Sequence, residues 1–97
     1  AFLGLGGATR PLDRRLARAH GIDAATAVEV MSVDGDTPAA RAGIRDGDIV
    51  HRLGDRAVAS IDELVRALRD VPPGQPTALG VLRRGQALTV AVTPTER

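Results

Sequence analysis

The stretch that decides the fold lies at residues 36–50 and reads DTPAARAGIRDGDIV. Thr37 stands before a proline, an alanine-rich run and Gly43. This is the order of an N-cap, a first helical position, a helix interior and a left-handed C-terminal cap. An Asp-Gly turn then leads into an apolar, β-branched run. These signals predict a short helix between Thr37 and Gly43 and a strand over 48–53.

Apolar periodicity and turn residues predict the other elements. Ser60 and Glu63 match a capping box, and apolar residues follow them at helical spacing. Pro11 suits a first helical position, and Gly21 suits a left-handed cap. In the N-terminal half, the further predicted elements are a short strand within residues 3–9, a helix over 11–20 and a strand over 27–33. The helix has Leu12, Leu16 and Ala19 as its apolar stripe, and the second strand has a bulge between Val30 and Val33. In the C-terminal half, the predicted elements are a short strand at Val58, a helix over 60–70, and strands over 77–83 and 87–93. Their order predicts a small α+β domain with an antiparallel sheet or barrel capped by helices.

Length and composition narrow the class of protein. The chain has 97 residues, so residues 1–97 are expected to form a single domain with one modest core. Its 13 cationic residues, all arginine, nearly balance 12 acidic ones, which argues against a nucleic-acid or anionic-membrane surface. No apolar run approaches the roughly 20 residues that a membrane span needs. No targeting segment is recognised in the sequence.

Candidate catalytic residues are few. The serines are Ser32, inside a predicted strand, and Ser60, a predicted helix cap. His20 suits a helix C-terminus and His51 a half-exposed strand position. Neither serine has the surroundings of a nucleophile, and the chain has no cysteine. The sequence therefore predicts no enzymatic activity, no cofactor and no metal site.

A backbone site is the chemistry that the residues support. Phe2-Leu3-Gly4-Leu5 places a glycine between apolar residues ahead of a short strand. Such a loop can point successive N–H groups into one concavity that holds a carboxylate. The following strand, if it lies at a sheet edge, can accept another chain, and the helix over 60–70 can form the opposite wall. On this pattern alone, a plain turn and strand is the alternative.

Taken in order, several segments resemble PDZ domains, specifically those of bacterial HtrA/Deg-type trypsin-like serine proteases. The resemblance covers nearly all of the chain. The matching segments are Phe2-Leu3-Gly4-Leu5 (the carboxylate-binding loop), Asp36 to Ile44 (similar to GSPAxxAGL), Asp46 to Val50 (similar to xGDxI followed by an apolar residue), Leu53 to Val58 (similar to an apolar residue followed by NGxxV) and Ser60 to Leu68 (the groove helix). The loop at the N-terminus and the strand pair at the C-terminus look like the circularly permuted bacterial arrangement.

The resemblance implies capture of an extended peptide through its free C-terminus by β-strand addition. The residues it assigns to the peptide site are Phe2, Leu3, Gly4, Leu5, Gly6, Gly7, Ile61, Val65 and Leu68. Ile61 matches a position where many PDZ domains have a histidine that selects Ser or Thr two residues before the ligand terminus, so an apolar side chain is expected there. The implied partners are proteins with apolar C-terminal ends. The resemblance also implies that the parent is an extracytoplasmic serine protease that forms a trimer through its protease domain.

Some features depart from the family pattern or leave alternatives open. Gly6-Gly7 is expected to make the binding strand flexible, and the basic residue that often precedes the loop lies outside this chain. Leu64 is expected in the core, whereas Val65 and Leu68 fit the core and the groove equally well. The rival hypotheses are a PDZ module of an intramembrane metalloprotease, a PDZ module of a secretion or scaffold protein, and an autonomous enzyme.

Overall fold

The computed structural model describes residues 2–96, and the elements follow the order predicted from the sequence. They are β1 (Leu5–Pro11), α1 (Arg14–Ala19), β2 (Thr26–Val33), α2 (Pro38–Ala42), β3 (Ile49–Leu53), β4 (Arg56–Ala57), α3 (Ile61–Arg69), β5 (Thr77–Arg83) and β6 (Gln86–Val92). Within this described part of the chain, no helix is long and apolar enough to cross a membrane.

The strands form an antiparallel sheet with β1 and β6 at its two edges. The strand order is β1-β2-β3-β5-β6, and the short β4 pairs with β3. An isolated bridge joins Phe2, just before β1, to Thr95, just after β6. Their N–H groups and carbonyls exchange two hydrogen bonds, of 2.7 and 3.1 Å. The sheet therefore curls towards itself without closing, and the predicted α+β class with a partly open antiparallel sheet and capping helices is confirmed.

The two helices with clear sequence signals form as predicted. Thr37 Oγ1 accepts the N–H three residues on at 3.3 Å, and Gly43 closes α2 with φ of 86°. Ser60 Oγ accepts the N–H of Glu63 at 3.1 Å, which caps α3. The Glu63 carboxylate accepts the N–H of Ala59 at 3.1 Å, one residue before the usual capping-box partner. Local hydrogen bonding thus accounts for where both helices begin.

The helix predicted over 11–20 is shorter than expected and begins later. Pro11 is the last residue of β1 and pairs with Thr26, while α1 begins at Arg14. Asp13 is the actual N-cap, because its Oδ1 accepts the N–H groups two and three residues on at 2.8 and 3.1 Å. An edge strand tolerates a terminal proline, and the Asp13 carboxylate is the stronger cap. Leu12 therefore precedes the helix, and the stripe predicted from it was wrong.

The short strand predicted at Val58 is also displaced. The two-residue strand β4 ends at Ala57, and Val58 follows it as a buried core residue. Its N–H donates to the carbonyl of His51 at 3.0 Å. The pairing with β3 is therefore real, but it is one residue earlier along the chain than the apolar pattern indicated.

A β-bulge in β2 confirms the break in alternation seen in the sequence. Gly6 and Gly7 of β1 pair with Ser32 and Val30, so Met31 is the extra residue. Its side chain is left 50% exposed. A bulge bends and twists its strand, and here it does so directly behind the first residues of β1.

The apolar interior consists of a main core and a smaller cluster, where the sequence predicted one core. The main core lies between the sheet and the helices α2 and α3. Its buried residues are Leu3, Val28, Val30, Ala39, Ile44, Val50, Leu53, Val58, Leu64, Ala67, Leu79, Val81 and Val92. The second cluster lies under α1 and comprises Leu12, Ala17, Ala27 and Leu82. Aliphatic side chains therefore fill the interface between α3 and the sheet.

A buried ion pair fastens three parts of the fold together. Asp48, 2% exposed, lies just before β3 and accepts two hydrogen bonds from Arg83, of 2.9 and 2.7 Å. It also accepts the N–H of Arg45 at 2.9 Å, while Arg83 donates to the carbonyl of Gly43 at 2.8 Å. Burial acts to raise the pKa of Asp48, but the hydrogen bonds from Arg83 and the Arg45 N–H outweigh it and lower the pKa. This contact ties β3 and β5 to the end of α2.

Candidate functional site

The loop ahead of β1 is held from behind by the start of α2. Gly4 has φ of +86°, and a Cβ added there would lie 2.3–2.6 Å from side-chain atoms of Thr37. The carbonyl of Leu3 accepts the N–H of Ala39 at 2.8 Å, and that of Gly4 accepts the N–H of Asp34 at 2.9 Å. With both carbonyls fixed on this side, the loop has a defined orientation that only glycine at position 4 allows.

Successive N–H groups of the loop are not used by the hydrogen bonds of the fold. Within residues 2–96, the N–H groups of Leu3 and Gly4 have no hydrogen-bond acceptor. In an antiparallel ladder, residue pairs that exchange hydrogen bonds alternate with pairs that do not. The Asp34 N–H donates to the Gly4 carbonyl, so the adjacent pair, Leu5 and Val33, is one that does not exchange hydrogen bonds. The N–H of Leu5 therefore faces the open edge of the sheet. Three successive amides are available to a ligand.

A cavity of about 300 Å³ lies between this loop and α3. Its lining residues are Phe2, Leu3, Gly4, Leu5, Ile61, Leu64, Val65, Leu68 and Arg69. Seven of the residues predicted for the site are in this lining. Both Val65 and Leu68 reach the cavity, and Leu64 belongs to the core and to the cavity floor at once. Arg69 was not among the residues predicted for the site, although it lies one helical turn after Val65 on the same face.

The two remaining predicted residues, Gly6 and Gly7, lie on β1 beyond the cavity lining. A Cβ at Gly7 would lie 2.7 Å from Val28 Cγ1 and 3.2 Å from Ile61 Cδ1, and one at Gly6 would lie 2.7 Å from Ser32 Oγ. Close packing against β2 and α3 therefore explains Gly7, whereas at Gly6 a Cβ would meet only the rotatable hydroxyl of the exposed Ser32. Within residues 2–96, β1 is an edge strand that pairs only with β2, so its other side can accept an additional chain.

The start of α3 is fixed to β1 at the far end of this groove. Thr9 Oγ1 accepts the N–H of Ile61 at 3.0 Å, and Ile61 also approaches Gly7. The helix therefore runs antiparallel to β1, from Thr9 towards the loop. The role of Thr9 was not predictable from the sequence, because the hydrogen bond joins residues 52 positions apart.

Another hollow is larger but carries none of the predicted site residues. It measures about 620 Å³ and lies beside α1, where Arg14, Arg18 and Asp23 contribute to its lining. Ligand pockets are usually lined by apolar side chains with few polar groups, so a hollow with several charged, solvated side chains fits an open surface better. The smaller, mainly apolar cavity is therefore the candidate site.

The histidines lie away from this cavity. His20 is the C-cap residue of α1, and its Nε2 donates to the carbonyl of Gly85 at 2.9 Å. His51 is half-buried in β3, where burial and the nearby positive charges of Arg52 and His20 lower its pKa. Among the described residues, no group of three or more His, Cys, Asp or Glu side chains could hold a metal ion.

Comparisons with known proteins agree with this geometry. The family model of the PDZ domain matches residues 4–93. A probable periplasmic serine endoprotease DegP-like from Halomonas elongata is 37% identical over 89 residues, covering 92% of this chain and 19% of the relative. The magnetosome formation protease MamE of Magnetospirillum gryphiswaldense is 34% identical over 88 residues, covering 91% of this chain and 11% of the relative.

Solved structures give the same result. The HtrA-type protease AlgW with decapeptide superposes with a TM-score of 0.78 at 26% identity, covering 99% of this chain and 29% of that one. The HtrA3 PDZ domain bound to a phage-derived ligand (FGRWV) superposes with a TM-score of 0.71 at 26% identity. The match covers 96% of this chain and 83% of that one.

Within residues 2–96, the site combines an open edge strand, a loop with unpaired amides and an apolar cavity against a helix. The chain belongs to the PDZ domain family and matches the PDZ region of HtrA-type serine proteases. It spans about a fifth or less of the curated relatives described above. The circularly permuted arrangement stays a prediction.

Proposed function

We propose that this PDZ domain captures the free C-terminus of an extended peptide whose last side chain is apolar. The terminal carboxylate accepts hydrogen bonds from the N–H groups of Leu3, Gly4 and Leu5. The peptide backbone continues along β1 as an added strand. The observation that carries this proposal is a row of unpaired backbone donors at the mouth of an apolar cavity.

The cavity supports an apolar preference for the last ligand residue. Its lining is aliphatic or aromatic apart from Gly4 and Arg69. A volume of about 300 Å³ accommodates a side chain of Val or Leu size with neighbouring peptide atoms. The ligand named with the HtrA3 PDZ domain, FGRWV, also ends in an apolar residue. A short peptide on such a site should bind with a Kd on the order of micromolar, about −8 kcal/mol.

The peptide FGRWV and its C-terminal amide provide the direct test. The free acid should bind at least about tenfold more tightly, because charge-assisted hydrogen bonds to the carboxylate are lost in the amide. The chain has neither Trp nor Tyr, so tryptophan fluorescence of the peptide reports binding without background from the domain. Equal affinities for acid and amide would contradict the carboxylate site.

Replacing Ile61 with histidine should change the residue preferred two positions before the ligand terminus. Ile61 lines the cavity and its side chain cannot donate a hydrogen bond, so the natural domain should prefer a ligand with an apolar side chain at this position. Ile61→His should shift the Thr-to-Val affinity ratio at that position several-fold towards Thr, by adding a ring N–H donor. Titration of two matched peptides measures the ratio. Asp62→His, which lies outside the lining, is the control, and an unchanged ratio in Ile61→His would remove Ile61 from the site.

We also propose that the domain regulates, or delivers substrates to, an extracytoplasmic HtrA-like serine protease involved in protein quality control, with a trimeric parent. Relatives named as DegP-like periplasmic serine endoproteases support this parent and location. The parent reading frame tests it. A Gly-Asn-Ser-Gly-Gly segment upstream and an export signal are expected. A His-Glu-x-x-His motif within membrane helices would contradict it.

A further inference from the structure

We propose that Arg69 is a ligand-binding residue that pairs electrostatically with the terminal carboxylate of the captured peptide. This inference rests on the proposed function and adds a side-chain charge to a site so far described by backbone donors. Arg69 is the last residue of α3, and it is the one charged residue in the cavity lining described above.

The position of Arg69 along the groove matches that of the loop. α3 begins beside Thr9, and Arg69 is eight residues further on, roughly 12 Å along the helix axis. From Thr9 back to Leu5 along β1 is four residues, roughly 13 Å. Since the two elements run antiparallel across the groove, the end of α3 is level with Leu5. Arg69 therefore stands opposite the amides that would hold the carboxylate.

The guanidinium of Arg69 is not engaged elsewhere in the fold. It makes no ion pair or side-chain hydrogen bond within residues 2–96. The nearest acidic residue in sequence is Asp70, and Asp70 is paired with Arg56 across the β4–α3 connection. The local acid is thus neutralised by a different cation, which leaves the charge of Arg69 available to a ligand.

The positive charge of Arg69 would compensate two electrostatic costs of binding a carboxylate in this cavity. A carboxylate leaving water for an apolar cavity loses hydration that must be replaced. The C-terminal end of α3 adds a partial negative charge at the same end of the groove. Three backbone N–H groups stabilise the ligand anion, whereas the helix terminus opposes it. A cation at the helix terminus offsets that opposition and attracts the carboxylate.

A cycle of two variants and two ligands tests the proposal. The probes are the N-acetylated peptide FGAWV and its C-terminal amide, so that the terminal carboxylate is the only ligand charge. Arg69→Gln should weaken binding of the acid about threefold to tenfold and leave the amide within about twofold. Arg69→Lys should keep most of the preference for the acid. Added salt should weaken acid binding more in the natural domain than in Arg69→Gln.

Arg66→Gln is the matched control, because Arg66 is an exposed arginine of the same helix outside the cavity lining. It should leave both affinities unchanged. If the natural domain does not distinguish acid from amide, the proposed carboxylate site itself is wrong. If it does, but Arg69→Gln keeps the same acid-to-amide ratio or Arg66→Gln lowers it equally, the role of Arg69 is overturned. The role of Arg69 is also overturned if Arg69→Gln weakens binding of the acid and the amide equally, or if Arg69→Lys fails to restore the preference for the acid.

Discussion

Replacing Gly4 with alanine is expected to abolish peptide binding and to lower the free energy of unfolding by about 2–4 kcal/mol. Two costs add at this position. The backbone is left-handed at +86°, and a Cβ would lie only 2.3 Å from the Thr37 Cβ, an atom at the rigid start of α2. The loop has to move to relieve the contact, and its three amides move with it. Urea unfolding followed by far-UV circular dichroism, with FGRWV titration of the same sample, measures both effects.

Gly74 provides the matched control, because it has φ of +85° and, its chain neighbours aside, no atom within residues 2–96 lies within 4 Å of the place that a Cβ would take. Gly74→Ala should therefore cost only the left-handed backbone strain, about 1–2 kcal/mol, and leave peptide affinity unchanged. If the two substitutions destabilise equally and Gly4→Ala still binds peptide, the packing of Gly4 on Thr37 does not position the loop.

Replacing Asp48 with asparagine is expected to destabilise the domain by about 3 kcal/mol or more, because Arg83 is left without its buried partner. Asp48 accepts three hydrogen bonds as a carboxylate, and an amide cannot accept all of them. Asp36→Asn is the control, because Asp36 forms an exposed ion pair with Arg41. This substitution should change the free energy of unfolding by no more than about 0.5 kcal/mol. If Asp48→Asn and Asp36→Asn lower the free energy of unfolding by similar amounts, burial adds nothing to the stability of the Asp48 contact.

The pH dependence of this difference follows from the lowered pKa of Asp48. Its pKa in the folded chain lies below the ordinary value of 3.8 that applies after unfolding. The stabilisation is therefore fully present above pH 3.8 and is lost as the pH falls through the folded pKa. The gap in unfolding free energy between the natural domain and Asp48→Asn should be constant from about pH 5 to pH 8 and narrow below about pH 4. A gap that widens on acidification would contradict the assignment.

Local signals made α2 and α3 predictable, and their ends agree with the structure within about a residue. A hydroxyl N-cap, a proline or capping glutamate and a terminal glycine act over a few residues, so no tertiary information is needed. Pro11 shows the limit of such signals. It satisfies a helix start and a strand end equally well, and pairing with Thr26 across the sheet decides between them.

The site was predictable where it depends on glycine and apolar spacing, and less so elsewhere. Helical periodicity places Leu64, Val65 and Leu68 on one side of α3, but only packing shows that all three line the cavity. Arginine at the end of a helix already has an ordinary explanation in the helix dipole, so Arg69 gave no separate signal. The Asp48–Arg83 pair joins residues 35 positions apart, and charge patterns in a sequence do not reveal such contacts.

The bridge between Phe2 and Thr95 has a mechanical consequence. Tension applied at the two ends of this domain would act on one antiparallel pair and open its hydrogen bonds one after another, as in unzipping. The next residues reached from the N-terminal side are Leu3 and Gly4. Loss of the bridge under a pulling force is therefore expected to release the N-terminal end of the loop proposed to hold the peptide carboxylate.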